Sequence, residues 1–405
     1  MPPSTDICWL HRFAVFTAVC TLALIGLGGL VTSHGVGMSV PDWPTTYGYN
    51  MFLFPISQWV GGIFYEHTHR LVASGVGLLT ASLAIWLWAR ETSGKNRRNG
   101  IILILAVLFI VGGMMGVRIT PVFITIALLC FGGIIFGLLK IKQTSGLRWY
   151  GIVALSAVVL QGVLGGLRVT EMKDEIGIFH ATLAQLFLVL TGVIALFTSR
   201  FWKSVSTTSK KIIGKGMSAF LGATTLLIFA QLILGATMRH QHAGLAVPDF
   251  PLAYGKIWPP TDAASIQEMN QSRHDVRDPN PITATHIVVH MAHRMTAFLI
   301  LGGIAFLTFR LWKTLGARNQ LTRLSLVWLG MILAQLALGI ITVLKNKPAD
   351  VATAHVVLGA TSLVMGVMIT LVARKISVEG RKHIPHLGAA SSVEPASDSK
   401  AALTT

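Results

Sequence analysis

Along the chain, long apolar runs alternate with short charged or glycine- and proline-rich breaks. Ten runs reach the length a helix needs to cross a bilayer: 13–31, 65–89, 100–117, 121–140, 149–167, 177–199, 217–238, 286–309, 323–344 and 352–373. Lipid offers an exposed backbone no hydrogen-bond partner, so such runs are read as helices. The pattern predicts an all-α polytopic membrane protein with about ten transmembrane helices. The first run, "FAVFTAVCTLALIGLGGLV", is too long for the apolar region of a signal peptide and no A-x-A site follows it, so it counts as a helix. Past Arg374 the composition shifts to Ser, Ala, Pro and Lys, and 376–405 reads as a disordered tail.

The polar breaks are not independent of one another. "VPDWPTTYG" at Val40–Gly48 returns as "VPDFPLAYG" at Val247–Gly255, with seven of nine positions matching in kind. Three more landmarks recur in the same order: "EHTHR" from Glu66 with "HMAHR" from His290, "QGVLGGLRV" from Gln161 with "QLALGIITV" from Gln335, and "HATLAQ" from His180 with "HVVLGA" from His355. Each half is therefore one unit of four helices, 1–200 and 217–375, joined by a basic linker at 201–216. The first half carries an extra apolar hairpin, 100–140, which brings the chain back to the side it left. Both units then run in the same direction, as two parallel bundles related by a pseudo-twofold axis along the membrane normal.

Composition adds an orientation. The chain has 405 residues, is 53% hydrophobic and 12% charged, and carries a formal net charge of +17. Threading ten helices from an inner N-terminus puts 22 Lys/Arg and 5 Asp/Glu inside, against 11 and 11 outside. The whole basic excess faces one side, which marks membrane orientation and excludes a nucleic-acid surface. Both termini are expected in the cytoplasm and the Pro-Asp loops outside. Cys8, Cys20 and Cys130 form no pair in an outer loop, so no disulfide framework is expected.

In this topology eleven of fourteen histidines fall on the outer side: 34, 67, 69, 180, 240, 242, 274, 286, 290, 293 and 355. Four occupy matched places. His69 and His293 lie in the outer third of the second helix of each unit, and His180 and His355 near the outer start of the fourth. Ionisable groups at that depth are costly and are retained for function; packing against a neighbouring carbonyl is the plainer account. Two histidines per bundle on separate helices suit the two axial positions of a haem iron better than the tetrahedral shell of zinc. Small residues nearby ("LGG", "GVLGG", "LGA") would make room for a flat macrocycle. Arg70 and Arg294, directly after two of these histidines, could pair with haem propionates or snorkel to headgroups. The Pro-Asp-Trp/Phe-Pro loops read as lids. One position breaks the symmetry: Glu66 precedes His69 by three residues, on the same face, whereas the other half has His290. A carboxylate beside a reacting carbon can accept or deliver protons. The N-terminal pocket therefore reads as a reaction site, and the C-terminal pocket as an electron relay. His286, His290 and His293 share a helix face and compete as ligands; the repeat favours His293.

These residues together resemble the haem A synthase family, which oxidises a ring methyl of haem O to the formyl group of haem A for cytochrome oxidase assembly. The resemblance spans about 1–375 apart from the hairpin. It implies a pseudo-twofold membrane oxidoreductase that uses water as the oxygen source. His69 and His180 would bind the iron of the substrate haem O, Glu66 would be the essential carboxylate, and His293 and His355 would bind haem b. It further implies a bacterial plasma membrane, haem O supplied by haem O synthase, and an electron acceptor that the sequence does not name; homo-oligomerisation stays open. Many relatives carry a cysteine pair in the first outer loop; Val40 and Thr46 stand there in this chain. The competing class is a di-haem b-type electron carrier linked to quinone, which four histidines would also serve.

Overall fold

A computed structural model describes residues 5–117, 119–205, 214–273 and 280–382. Ten helices in it are long and apolar enough to span a membrane, and the protein is an integral, all-α membrane protein. The first unit comprises α1 (Thr5–Ser33), α2 (Gly61–Glu91), α3 (Gly94–Met115), α4 (Thr120–Thr144), α5 (Leu147–Glu171) and α6 (Asp174–Thr198). A short α7 (Arg200–Ser204) leads toward the second unit of α8 (Lys215–His240), α10 (Ala284–Leu315), α11 (Gln320–Leu344) and α12 (Ala349–Lys382). Its loop carries a surface helix, α9 (Ala263–Gln271). Two strands, β1 (Thr45–Thr46) and β2 (Tyr49–Asn50), form the only sheet among the described residues. All ten predicted spans are present, each longer than its apolar run, because polar residues such as Arg90, Glu91 and Arg168 complete the helix ends. Seven residues assigned to the tail, 376–382, continue α12; His274, Arg118 and 383–405 lie outside the described residues.

Helices α1, α2, α5 and α6 close one ring, and α8, α10, α11 and α12 close the other. The rings meet through α1 against α12, α6 against α8, and α6 against α12. Exchange of α1 with α8 and of α6 with α12 maps this seam onto itself, as a twofold axis parallel to the helices requires. The α3–α4 hairpin packs outside, on α2 and α5. Its many exposed apolar side chains, among them Phe109 and Leu128, are what lipid contact asks of it.

Each bundle is solid at one end. In the first, Leu10, Val76, Leu83, Leu87, Ala157, Phe187 and Ile194 fill the interior. In the second, Leu221, Ile228, Ile304, Leu307, Trp328 and Leu363 do so. The histidines lie beyond these plugs, toward the end where the Pro-Asp loops gather.

Candidate functional site

The lids are built the same way twice. In lid 1, Asp42 accepts hydrogen bonds from the backbone N–H of Tyr47 (2.7 Å) and of Gly48 (2.8 Å), and from Thr45 Oγ1 (2.5 Å). In lid 2, Asp249 accepts from Tyr254 N–H (2.8 Å) and Gly255 N–H (3.0 Å). The Tyr-Gly pair bends through positive φ in both: 50° and 79°, then 51° and 72°. Glycine takes that conformation without steric cost, which accounts for its place after each tyrosine. Each tyrosine hydroxyl then donates to a carbonyl eight residues earlier, Tyr47 to Ser39 (2.5 Å) and Tyr254 to Ala246 (3.0 Å). The Trp43–Pro44 and Phe250–Pro251 bonds are both cis. The aspartate is thus the turn's own acceptor.

Arginine from the second helix of each unit ties the lid down. Arg70 donates to the carbonyls of Val40 (2.7 Å), Asp42 (2.6 Å) and Thr45 (3.0 Å). Arg294 donates to those of Val247 (2.9 Å), Asp249 (2.6 Å) and Leu252 (3.1 Å), three repeat-related atoms. Both guanidinium groups therefore face lid backbone, a partner that was not among those expected for them. Glu66 belongs to the same clamp: Oε1 pairs with Arg70 at 2.7 Å, and Oε2 accepts Val40 N–H at 2.9 Å. It is 3% exposed, so this is a buried ion pair with both oxygens engaged. In the second half His290 Nδ1 donates to Ala243 O at 3.3 Å instead.

Lid 1 also leans on the inserted hairpin. Trp43 meets Phe123 of α4 edge to face, with ring centroids 5.1 Å apart. Its other side fills the space over Gly166 of α5, where any Cβ would overlap the ring. His67, fully buried, sits between Phe54 and Trp59 and contacts Thr46 Oγ1 at 3.1 Å.

Below the lids each of the four matched histidines rests on a glycine of a neighbouring helix. A Cβ on Gly28, Gly165, Gly235 or Gly339 would come within 3.1–3.3 Å of Cε1 of His69, His180, His293 or His355 respectively. Four residues before three of these glycines stands a glutamine whose Nε2 holds the same histidine's carbonyl: Gln161 to His180 (3.1 Å), Gln231 to His293 (2.8 Å) and Gln335 to His355 (2.9 Å). Leu24 takes that place below Gly28. This Q-x-x-x-G pattern was readable in the chain, and the quoted "QGVLGG" and "QLALGI" contain it. All four histidines are half-buried.

The rings of His293 and His355 face each other with centroids 6.4 Å apart and planes at 59°. Two imidazoles sharing one metal through Nε2, at about 2 Å each, would stand roughly that far apart. His355 Nδ1 donates to Gln335 O at 3.1 Å, which leaves Nε2 as the basic nitrogen. The Nδ1 atoms of His69, His180 and His293 have no hydrogen-bond partner among the described residues. His290 is taken by lid 2 and His286 lies in the first turn of α10, so among the three competitors only His293 meets His355. Among the described residues no three ligating side chains converge, and His293 and His355 stand as a facing pair. The donor set and spacing fit a bis-histidine haem.

Fold and site together define a class: a twofold-repeated membrane bundle with two glycine-backed histidines beneath a lid in each half. Residues 11–122 and 118–368 match the model of the cytochrome oxidase assembly protein family (COX15-CtaA), and the chain belongs to that family. It is similar to a heme A synthase of Shewanella oneidensis, 23% identical over 90% of this chain and 94% of the relative. It also resembles heme A synthases of Methylobacterium radiotolerans (24% identical; 94% of this chain, 93% of the relative) and Halalkalibacterium halodurans (26%; 85% and 92%).

Proposed function

We propose that this chain is a haem A synthase that takes haem O into the first bundle and holds haem b in the second. The observation that carries the reading is one symmetry and its break at Glu66. Two glycine-backed histidine pairs repeat, while the lid-side neighbour of the pair is Glu66 in one bundle and His290 in the other. In this reading His69 and His180 seat the substrate, His293 and His355 the haem b, and the lids face the outer side of a bacterial plasma membrane. A haem b held by His293 and His355 would supply a one-electron redox centre.

The residues then have distinct tasks. Turning a methyl into a formyl group with oxygen from water releases protons and electrons, so the first pocket needs a proton acceptor near the ring edge. Glu66 is the carboxylate at that level. Its Oε2 holds Val40 N–H while lid 1 is closed, so a lid that moves to admit substrate also frees Oε2 to take a proton. Arg70 stays beside Oε1 and keeps the carboxylate placed. His290, bonded to Ala243, gives lid 2 an anchor without a carboxylate, as suits a pocket with no proton chemistry. Gly28, Gly165, Gly235 and Gly339 leave the histidine rings uncrowded.

The test is the haem inventory of the purified protein by chromatography. Haem O or haem A beside haem b is the expected result; haem b alone at two per chain would point to a di-haem carrier instead.

A further inference from the structure

Arg168 is a charged side chain at the lid end whose placement the clamps do not explain. It lies on α5, one turn beyond Gly165 and so just above the His180 ring. A Cβ on Gly37 of the first loop would stand 2.9 Å from its Nη2, and one on Gly177 of α6 would stand 3.2 Å from its Nε. Two glycines thus leave the space the guanidinium occupies. Its titratable neighbours are Glu66, Asp174, His69, His180, Arg239 and His240. Neither carboxylate reaches it: the one ion pair among the described residues joins Glu66 to Arg70. The other arginines of the site are engaged. Arg70 and Arg294 hold the lids, and Arg239 donates to Gly29 O and Ser33 Oγ of α1. Arg168 has no hydrogen-bond acceptor among the described residues. The guanidinium is half-buried, and its planar fork is shaped for a carboxylate.

The second bundle has no counterpart. Thr342 stands at the repeat-related place, with its hydroxyl turned back to Leu338 O at 2.7 Å. This difference has a physical use. Two axial histidines fix a macrocycle's plane and centre but leave it free to turn about the axis through them. Oxidation of one methyl requires that one edge face Glu66, whereas electron transfer is indifferent to which edge faces where. We propose that Arg168 binds a carboxylate arm of the tetrapyrrole in the first bundle and so sets which ring edge meets Glu66. The proposal rests on the haem reading of that bundle.

The test titrates the full-length chain, produced without haem supplementation, with ferric protohaem and separately with its dimethyl ester, following the bis-histidine Soret band. His180→Ala identifies the binding phase that belongs to the first bundle. In that phase the unaltered chain should prefer the free acid over the ester by roughly ten- to a hundred-fold, the range of a charge-assisted pair. Arg168→Ala should abolish the preference, and Arg168→Lys should restore part of it as a point charge without the fork. Gly37→Ala, which keeps the arginine but crowds it, should weaken the preference and serves if Arg168→Ala fails to fold. An undiminished acid preference in these variants overturns the role of Arg168 alone. If His180→Ala removes no phase, the haem reading of the first bundle falls and takes this proposal with it.

Discussion

At the scale of single residues, one arginine per bundle does the same mechanical work in different electrostatic settings. Arg70 is paired with Glu66 in a buried site, whereas Arg294 hydrogen-bonds three carbonyls and lies over the Phe250 ring without forming an ion pair among the described residues. Removing one member of a buried pair strands the other charge, so Arg70→Ala should cost about 3–5 kcal/mol. Arg294→Ala, which strands no charge, should cost about 1–3 kcal/mol. Thermal unfolding in detergent would rank them; equal losses would mean that the ion pair adds nothing to the clamp. Lid 1 should also respond to acid. Burial pushes the Asp42 carboxyl up, but hydrogen bonds from Gly48 N–H, Thr45 Oγ1 and Tyr47 N–H outweigh it and leave it below the usual carboxylate range. A carboxyl lowered in the folded state stabilises above its unfolded value, near about 4, and that contribution fades as pH falls through the folded value. Protease nicking near Gly48 should therefore rise only in strong acid, and Asp42→Asn should remove the dependence. The four histidines were legible in the chain because the repeat displays their places twice, and Glu66 because it breaks the repeat. The task of the arginines was not, since a guanidinium beside a histidine has the same sequence signature whether it faces a ligand or a loop carbonyl.

At the scale of elements, the glycine beneath each histidine decides whether the bundle can hold anything. Gly165→Leu would drive a side chain into the His180 ring, so the first bundle should lose its ligand while the second keeps haem b. Loss from both bundles at once would show that they do not act as separate pockets. The inserted hairpin carries no repeat landmark, yet it supports lid 1. Phe123 carries the Trp43 ring of lid 1, and Thr120 Oγ1 donates to Glu171 at the end of α5 (2.8 Å). Phe123 is 2% exposed, and Phe123→Ala should cost about 3–5 kcal/mol and loosen lid 1 before lid 2. Equal protease sensitivity of the two loops would contradict that order. The helices themselves could be read from apolar length because lipid enforces it. The short helix α9 and the β1–β2 turn could not, for their polar segments carry no such constraint.

At the scale of the molecule, the seam makes two bundles into one device. Arg239 of the second unit hydrogen-bonds Ser33 of the first at 2.5 Å, and Ser33 Oγ lies 3.2 Å from Thr353 of α12. Parallel repeats put both lids at one end, and reporter fusions at Asn50 and Gln271 should both label from the periplasmic side; opposite labelling would break the repeat. The arrangement of rings was predictable from the order of the landmarks. The seam was not, because its contacts join residues that no landmark contains. The central claim is that one bundle performs chemistry and the other relays electrons, and Glu66→Gln tests it most directly. Glutamine keeps the shape and some hydrogen bonding of Glu66 but cannot cycle a proton, and loss of a placed acid–base group costs on the order of 10²–10⁴-fold in rate. The measurement is haem O, haem A and haem b per chain in the purified variant. The account predicts a folded protein with haem b retained, haem O accumulated and haem A absent; haem A made at the normal rate would contradict it.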